Sequence, residues 1–427
     1  MNLIRRILRK CKRILKAILI RLGVISYQVP PSEKYTYSTP ASQVINDFFS
    51  QIPVYKTLPV KRDTRRLNIV FNGFDKSCFF GGKATALILA IQFATRYNYD
   101  LRIISQKPDS TILRDFLGIF ELECPKKVEY FSSDSKNLLE VSEKDDFLCT
   151  MWENAAAVLA TPTITGNIYY IMQEVETLFY DHGDRHLKCL QTLTDPRLIP
   201  VVNSKLLYDY LIANGYQNVV EKGIYFEPVF SPKLLKPSKT SFEKKDKYTL
   251  FFYGRPGHQR NVFYFGLECL NEAFLTGRLN PSEWTVVMAG DLTVPKFCFD
   301  AKVETKRLGI MGWKEYCDFV STVDLCYSMI YTPHPSYPPL DTTTAGAVAV
   351  TNRCNNKKDL SQYSKNIVMA DLTKDSMLEA FEKAAELVKD VETRKKNYEN
   401  SHTAGYWSDA FASVLEHMHK FAEEENV

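Results

Sequence analysis

Short apolar segments with the composition of β-strands alternate with segments of helical periodicity over most of this 427-residue chain, and this alternation constrains its fold most strongly. In the earlier part of the chain the predicted strands are 68–73, 100–105, 127–131, 146–151, 167–172 and 198–202, with helices notably at 83–97 and 204–214. In the later part the predicted strands are 248–253, 284–289, 307–310, 324–329, 347–351 and 366–370, with helices at 260–275, 313–322, 338–346 and 374–390. Strands that alternate with helices predict an α/β fold with parallel, doubly wound sheets.

A break in the alternation predicts two Rossmann-like domains in series. Prolines and lysines dominate 229–247, which is typical of a linker between a first domain at 67–228 and a second at 248–400. A chain of this length suits two such domains better than one core. Residues 28–66 indicate an extended connector, and residues 401–427 a closing helix that could return to the first domain. A ligand is expected in the cleft between the domains, beyond the carboxyl ends of the strands.

The first 27 residues have the pattern of a basic amphipathic helix. Residues 1–22 hold eight Lys and Arg and no acidic residue, with apolar residues at helical spacing between them. Such a helix suits an anionic membrane surface. Charges at short intervals argue against a secretory signal, whereas a mitochondrial transit peptide and a helix docked on the body stay open as alternatives. We expect a peripheral protein on the inner face of the cytoplasmic membrane.

Composition and charge exclude several other classes of protein. Hydrophobic residues make up 45% and charged residues 24%, as in soluble globular proteins. The net charge of +4 comes from residues 1–22, so the body gives no reason to expect nucleic acid as a partner. The ten cysteines are scattered without a CxxC pair, which indicates reduced thiols in a cytoplasmic protein.

Two glycine-containing turns are candidates for binding an anion. Gly81 and Gly82 precede the helix at 83–97, where free amides and the helix dipole favour a phosphate or sugar, although such turns also arise for steric reasons. In the second domain, Gly254 is followed by Arg255 and by Arg260-Asn261. Two guanidinium groups beside a helix start would bind a diphosphate bidentately, and a surface turn with solvated arginines is the alternative.

A proline-rich loop at 332–341 is the most specific motif. Ser336 is placed to cap the next helix, with Tyr337, Pro338 and Pro339 in its first turn. Free amides at this helix start predict an anion site. Asp341 could accept a hydrogen bond from a ribose hydroxyl or only complement the helix dipole.

Polar and aromatic residues that follow strands of the first domain are candidates for facing the cleft. Amides and carboxylates would orient sugar hydroxyls, and aromatic rings would stack on pyranose faces. The residues of this set are Thr150, Trp152, Gln173, Glu174, Glu176 and Tyr180. His182 and His186 have the spacing of metal ligands without a third ligand, and the DxD pattern is absent. We therefore expect no metal and no cofactor.

These motifs together resemble the WsaF-like rhamnosyltransferases, GT-B enzymes of glycosyltransferase family 4, from about residue 67 to 390. The similar segments are GGKATAL (81–87), QEVETLFYDHG (173–183), VVNSKLL (201–207), YFEP (225–228), FYGRP with the following RN (252–261), LGIMGWKEY (308–316) and PHPSYPPLD running to GAVAVTN (333–352). The resemblance implies a first domain for the acceptor saccharide and a second for a nucleotide sugar, typically dTDP-rhamnose.

By position, the resemblance assigns Gly254, Arg255, Arg260 and Lys306 to the diphosphate, Gly309 to the donor, and the 336–341 loop to the nucleotide and sugar. The chain departs from the family's pattern at Asp341, where Glu is usual, and at the three threonines that follow. The expected reaction is metal-independent transfer of L-rhamnose to an oligosaccharide or lipid-linked glycan of a bacterial surface polysaccharide, with Arg255, Arg260 and Glu174 as catalytic residues.

Two other functions compete with this hypothesis. An ATPase is disfavoured because the turn at 81–85 lacks the spacing and the lysine–serine pair of a P-loop. A catalytically inactive GT-B-like protein that binds saccharides or assists assembly stays open. The sequence indicates no oligomeric state.

Overall fold

The computed structural model describes residues 35–74, 81–134, 136–309 and 311–424 of the chain. The chain divides into two compact units, residues 1–51 and 52–427. The amphipathic helix predicted within residues 1–27 lies outside the described residues. In the first unit, helix α1 (Ala41–Phe48) begins after Pro40.

The first half of the larger unit, residues 52–226, is built around a seven-stranded parallel sheet. The strands of this half, in chain order, are β1 (Thr57–Pro59), β2 (Arg66–Val70), β3 (Asp100–Ser105), β4 (Val128–Ser132), β5 (Leu139–Val141), β6 (Asp145–Cys149), β7 (Ile168–Met172), β8 (Leu198–Asn203) and β9 (Ile224–Phe226). Its helices are α2 (Gly82–Arg96), α3 (Thr111–Phe120), α4 (Trp152–Leu159), α5 (Asp184–Leu193), α6 (Lys205–Ala213) and α7 (Gln217–Lys222). The sheet order is β4-β3-β2-β6-β7-β8-β9, and β1 pairs separately with β5.

The second half, residues 248–400, is built around a six-stranded parallel sheet. Its strands are β10 (Tyr248–Tyr253), β11 (Trp284–Ala289), β12 (Glu304–Arg307), β13 (Leu325–Tyr327), β14 (Val348–Asn352) and β15 (Ile367–Ala370). The helices are α8 (Phe263–Leu275), α9 (Trp313–Val320), α10 (Tyr337–Thr344), α11 (Lys374–Lys389) and α12 (Val391–Glu399), followed by α13 (Trp407–Ala410) and α14 (Ala412–Glu424) at the end of the chain. The order is β12-β11-β10-β13-β14-β15.

The central strands are rich in apolar residues, and the polar Arg66 and Asn68 of β2 are hydrogen-bonded to β6. Every residue of β2 and of β7 is buried, and the strands of a parallel sheet covered by helices on both sides show this pattern. Helix α2 is buried from Ala84 through Ile91, where small alanines let it pack closely on the sheet. Both sheets have the parallel, doubly wound order that the sequence predicts.

The end of the chain returns to the first half. Phe411, Val414, Leu415 and Met418 are buried in the same hydrophobic cluster as Leu67 of β2. The amide of Phe230 donates to the carbonyl of Thr403 at 2.9 Å. The segment that leaves the first half after β9 and the segment that returns to it before α13 are therefore neighbours.

The segment 52–66 differs from the extended connector that the sequence predicts for 28–66. Thr57–Pro59 pairs in parallel with Leu139–Val141, and Ile52 and Tyr55 pack against a hydrophobic cluster of the first half. Since β2 already begins at Arg66, this stretch is part of the larger unit. Apolar residues spaced among its prolines give it surface to bury.

Candidate functional site

The carboxyl ends of the strands in both halves meet at Glu174. This residue follows β7 in the first half, and its Oε2 lies 3.7 Å from Nε of Arg260 in the second half. Its Oε1 accepts a hydrogen bond from Oγ1 of Thr332, which follows β13. Two of the three predicted catalytic residues are therefore in contact across the halves.

Arg260 is held by an aromatic ring as well as by the carboxylate. Its guanidinium carbon lies 4.1 Å from the centre of the Phe179 ring, in the geometry of a cation–π interaction. Burial lowers the pKa of Arg260, and the nearby charge of Arg255 acts in the same direction, while Glu174 opposes it. The site thus holds a guanidinium that has lost much of its water and stands to gain from an added anion.

Arg255 completes a pair of guanidinium groups. One of its terminal nitrogens contacts Nε2 of His258, and burial together with Arg255 and Arg260 lowers the pKa of that histidine. Nε of Arg255 and Nε of Arg260 are both buried and lack a hydrogen-bond partner within the described ranges. Buried N–H groups are rarely left without an acceptor, so Nε of Arg255 favours an added anion. Nε of Arg260 faces the Glu174 carboxylate at 3.7 Å, which is too long for a hydrogen bond.

The proline-rich loop departs from the predicted capping. Ser336 stands at the N-cap of α10 with a left-handed φ of 72°, and its side chain makes no capping hydrogen bond. Its amide donates instead to Nδ1 of His334 at 3.0 Å. Because Pro338 and Pro339 have no N–H, the helix start offers fewer free amides than the predicted anion site requires.

The Tyr337 hydroxyl and the Asp341 carboxylate are both buried and hydrogen-bonded to other side chains. The Tyr337 hydroxyl bonds to Oγ1 of Thr85 at 2.9 Å and to Nδ2 of Asn203 at 2.8 Å, both in the first half. Oδ2 of Asp341 accepts from the Tyr316 hydroxyl at 2.7 Å. Burial raises the pKa of Asp341 to about 7 although the Tyr316 bond lowers it.

The glycines of the site have different reasons for being glycine. Gly81 has a φ of 46° with open space around it. A Cβ at Gly82 would meet the Gln173 side chain at 2.7 Å, and Nε2 of Gln173 donates to the Gly82 carbonyl at 2.6 Å. A Cβ at Gly254 would meet the ring of Phe263 at 2.9 Å. The last two positions let side chains approach the backbone closely.

The other residues predicted to bind the donor are Asn261, Gly309 and Lys306, and they differ in burial and in contacts. Asn261 is buried and its Nδ2 donates to the carbonyl of Met329 at 3.3 Å, which ties the Arg260 loop to the end of β13. Gly309 is exposed just after β12. Lys306, predicted to contact the diphosphate, instead contacts Glu304 at 3.2 Å, and Glu304 also pairs with Lys247 at the amino-terminal side of the sheet. As an exposed residue of an edge strand, Lys306 points to solvent.

Two acceptor-side predictions fall in the core of the first half. Trp152 is fully buried, and its indole Nε1 donates to the Tyr180 hydroxyl at 2.8 Å. Glu176 accepts from the Trp152 amide at 2.9 Å and from the Tyr170 hydroxyl, and burial raises its pKa to about 7. Neither side chain is available to a saccharide, since each is enclosed by partners.

Thr150 and Gln173 are half-buried directly after β6 and β7, and Tyr180 is half-buried after the short 3-10 helix Glu176–Phe179. Oγ1 of Thr150 donates to the Val70 carbonyl at 2.7 Å, and the Tyr180 hydroxyl donates to Glu153 at 3.0 Å. These three remain predictions for the acceptor side.

Sequence reasoning missed two buried groups at the site, His334 and Lys357. Nε2 of His334 and Nζ of Lys357 are buried without a hydrogen-bond partner in the described part of the chain. Burial lowers the pKa of His334 to about 3, and Lys357 and Arg260 add to this effect. Burial lowers the pKa of Lys357 to about 8, opposed by Cys354 and Glu174. The signal was available, because the loop at 353–358 follows a predicted strand end.

The described residues contain neither a cluster of metal ligands nor a membrane-spanning helix. Within residues 35–74, 81–134, 136–309 and 311–424, no three or more His, Cys, Asp or Glu side chains are grouped as metal ligands would be. Nor does any helix in those ranges have the length and apolar character needed to cross a bilayer.

The two sheets and the position of the site define a GT-B fold. Anabaena HepE, solved in complex with UDP and glucose, superposes with a TM-score of 0.58 at 12% identity over 84% of this chain and 100% of that one. WaaG, a glycosyltransferase involved in lipopolysaccharide biosynthesis, gives 0.57 at 13% identity over 82% of this chain and 98% of its own. At these identities the likeness concerns the fold.

Sequence comparison relates the second half to one protein family and the chain to one curated relative. Residues 248–382 match the family model described as "WsaF, C-terminal domain". The O-antigen biosynthesis protein RfbC of Myxococcus xanthus is 29% identical over 231 residues, which are 54% of this chain and 17% of that protein. The chain thus spans about a sixth of the length of this relative.

Proposed function

We propose that this protein is a glycosyltransferase that moves a sugar from a nucleotide diphosphate onto a polysaccharide acceptor. The observation that carries the proposal is the pair Arg255 and Arg260, whose buried Nε donors lack acceptors in the described ranges, at the carboxyl ends of the second sheet. Guanidinium groups match the oxygens of phosphates in charge and in geometry. Glu174 of the first half contacts Arg260, on the side from which an acceptor would approach.

The proposed reaction exchanges one bond at the anomeric carbon. An acceptor hydroxyl oxygen bonds to that carbon, the bond to the diphosphate breaks with its electron pair left on the phosphate oxygen, and the hydroxyl proton passes to the departing diphosphate. Negative charge grows on that phosphate, and Arg255 and Arg260 stabilise it. Donors fixed in advance in a water-poor site are usually the largest catalytic contribution. Glu174 keeps Arg260 in place through their contact and faces the acceptor side.

The nature of the substrates is the finer part of the proposal. The name of RfbC refers to O-antigen biosynthesis, and its similarity supports a bacterial surface polysaccharide as the product. We propose L-rhamnose from dTDP-rhamnose as the donor because of the sequence resemblance to the WsaF-like rhamnosyltransferases, with which the match of residues 248–382 agrees. The lack of a DxD pattern in the sequence supports a metal-independent reaction. The basic residues within 1–22 support peripheral binding to the cytoplasmic face of an anionic membrane, where a lipid-linked acceptor would be held.

A thermal-shift screen of the full chain tests the proposed function. We expect dTDP, UDP or GDP and the matching nucleotide sugars to raise the unfolding temperature, with dTDP-rhamnose giving the largest rise. A preference for a UDP or GDP sugar would overturn the rhamnose assignment alone. Binding without release of sugar to any glycan acceptor would favour an inactive saccharide-binding or assembly protein, and no binding of any nucleotide would contradict the proposal.

A further inference from the structure

Lys357 is a fully buried lysine whose ammonium has no partner in the described residues. It lies in a turn after β14, where its amide donates to the Cys354 carbonyl at 2.9 Å. Asn356 of the same turn donates through Nδ2 to the Leu206 carbonyl at 2.8 Å, which fixes the turn against α6 of the first half. An ammonium buried without a partner destabilises a protein, so the fold itself gives no reason for this charge.

His334 presents a second unpaired donor beside the same group of charges. Its Nδ1 accepts the Ser336 amide, so the proton of the neutral ring is on Nε2. That atom is buried and has no acceptor within the described ranges. The His334 amide donates to Oγ1 of Thr332 at 3.3 Å, and the Thr332 hydroxyl donates to Glu174, so His334 lies next to the Glu174–Arg260 pair. Burial, with the charges of Lys357 and Arg260, lowers the pKa of His334, and Glu174 opposes the lowering of the Lys357 pKa by burial. The four groups therefore belong to one electrostatic cluster between the halves.

We propose that Lys357 binds the phosphate to which the transferred sugar is attached, with Nε2–H of His334 donating to the same group. The proposal rests on the proposed function and adds a cation to it. Arg255 and Arg260 supply two positive charges, and Glu174, in contact with Arg260, offsets one of them. A nucleotide-sugar diphosphate carries one negative charge on each phosphate, so Lys357 supplies the charge that balances the second.

The main alternative is that Lys357 serves as a distant counter-charge for Glu174. The geometry disfavours this role, because Glu174 already contacts Arg260 and accepts from Thr332 and from the Val175 amide at 3.0 Å. Lys357 belongs to none of the ion pairs within the described ranges, whereas Arg260 does. The phosphate role and the structural role predict opposite effects on the protein without ligand, which makes them separable.

Lys357→Met is the test variant and Lys358→Met, at the exposed neighbour, is the matched control. Without ligand, Lys357→Met should unfold at the same or a higher temperature, because an apolar side chain of similar size replaces an unpaired charge. Calorimetric titration of the full chain should give at least about tenfold weaker binding of dTDP, UDP or GDP, whichever the wild type binds best. Binding of the matching nucleoside monophosphate, which lacks the second phosphate, should change much less. Lys358→Met should bind both like the wild type.

The other possible results contradict the role of Lys357, and they show whether the proposed function fails with it. Equal losses for the monophosphate and the diphosphate, or no loss for either, would overturn it while leaving the proposed function intact. A lower unfolding temperature with an unchanged affinity ratio would assign Lys357 a structural role. If Lys357→Met does not fold, Lys357→Gln carries the same comparison. A wild type that binds no nucleotide would remove the proposed function, and this inference with it.

Discussion

At the scale of single residues, burial distinguishes Arg260 from the exposed arginines of the surface. Arg260 lies against Phe179 and Glu174, yet its Nε has no hydrogen-bond acceptor in the described part of the chain. Surface arginines such as Arg278, which pairs with Glu382, are exposed and gain little from their ion pairs. The difference lies in solvation, because a guanidinium that has lost water binds an anion more strongly than one that has not.

Arg260→Ala should lower sugar transfer by about 100-fold or more, since it removes a donor fixed in advance for the charge that grows on the leaving phosphate. Arg255→Ala should act in the same direction. Steady-state kinetics with the preferred nucleotide sugar measures both, with Arg278→Ala as the control that should match the wild type. Activity close to the wild type in both cleft variants would contradict the roles proposed for them.

Asp341 predicts a pH dependence of stability. Its pKa is about 7 in the fold, against the ordinary value of 3.8 in the unfolded chain. Between these two values only the folded state keeps the proton, so this group lowers the free energy of unfolding as pH rises through that window. Asp341→Asn should therefore gain stability over the wild type between about pH 5 and about pH 7.5, by at most about 1.4 kcal/mol per pH unit.

Urea denaturation at both pH values measures this difference. Glu176, whose pKa burial also raises to about 7, affects both proteins alike, so it cancels in the comparison. A difference in unfolding free energy that does not change with pH would show that Asp341 is already ionised throughout the range.

At the scale of secondary-structure elements, the last helix joins the sheet that begins the larger unit. Leu415 and Met418 of α14 are buried in the cluster that contains Leu67 of β2, and the Tyr169 hydroxyl donates to the Met418 carbonyl at 2.5 Å. Helix α14 thus forms part of the hydrophobic core of the first half.

Leu415→Ala should cost about 2–5 kcal/mol in the free energy of unfolding, because it opens a cavity between α14 and the first sheet. Leu275→Ala, at a leucine that is 53% exposed at the end of α8, is the matched control and should cost far less. Chemical denaturation compares the two variants. Equal small costs would indicate that α14 contributes little to this core.

Apolar strands were the part of the fold that the sequence predicted best. The bounds of β10 and β11 agree with the prediction because each is a continuous apolar run that ends at polar residues or glycine. The strand predicted at 307–310 instead lies at Glu304–Arg307, since an edge strand with charged residues has no apolar pattern to locate it. Short strands such as β1 depend on a partner distant in sequence, and local patterns do not reveal that partner.

The site was predicted in outline but not in its details. The strand-end rule identified Arg260 and Glu174, because polar residues after apolar strands meet at one edge of a parallel sheet. The same rule also selected Trp152 and Glu176, whose side chains lie in the core. Glu176 accepts from the Trp152 amide, and the Trp152 indole donates to the Tyr180 hydroxyl. Residue type and spacing do not encode the direction of a side chain, and this is why Trp152 and Glu176 could not be told apart from residues that face the cleft.

At the scale of the whole molecule, the loops of the second half that surround the site also hold the first half in place. The Tyr337 hydroxyl bonds to Thr85 and Asn203, and the Thr332 hydroxyl bonds to Glu174. A donor that enters beside Arg260 therefore meets residues that join the two halves. Such an arrangement suits a reaction in which donor and acceptor bind to different halves and must be brought together.

Binding to anionic vesicles is the prediction for residues 1–22. The full chain should sediment with vesicles that contain anionic lipid and not with neutral ones, because each basic residue near such a surface contributes about 1 kcal/mol. Replacing Arg5, Arg6, Arg9 and Lys10 by Gln should weaken sedimentation strongly, whereas replacing exposed lysines of the body, such as Lys383, should not. Equal binding to neutral vesicles would contradict an electrostatic attachment.

The central claim is that the cluster around Arg260 binds a diphosphate, and a crystal structure of the full chain with the nucleoside diphosphate that stabilises it most tests this directly. We expect phosphate oxygens within hydrogen-bond distance of Arg255 and Arg260, beyond the carboxyl ends of the second sheet and facing Glu174. A diphosphate bound elsewhere on the molecule, with no phosphate oxygen near Nε of Arg255 or Nε of Arg260, would contradict it.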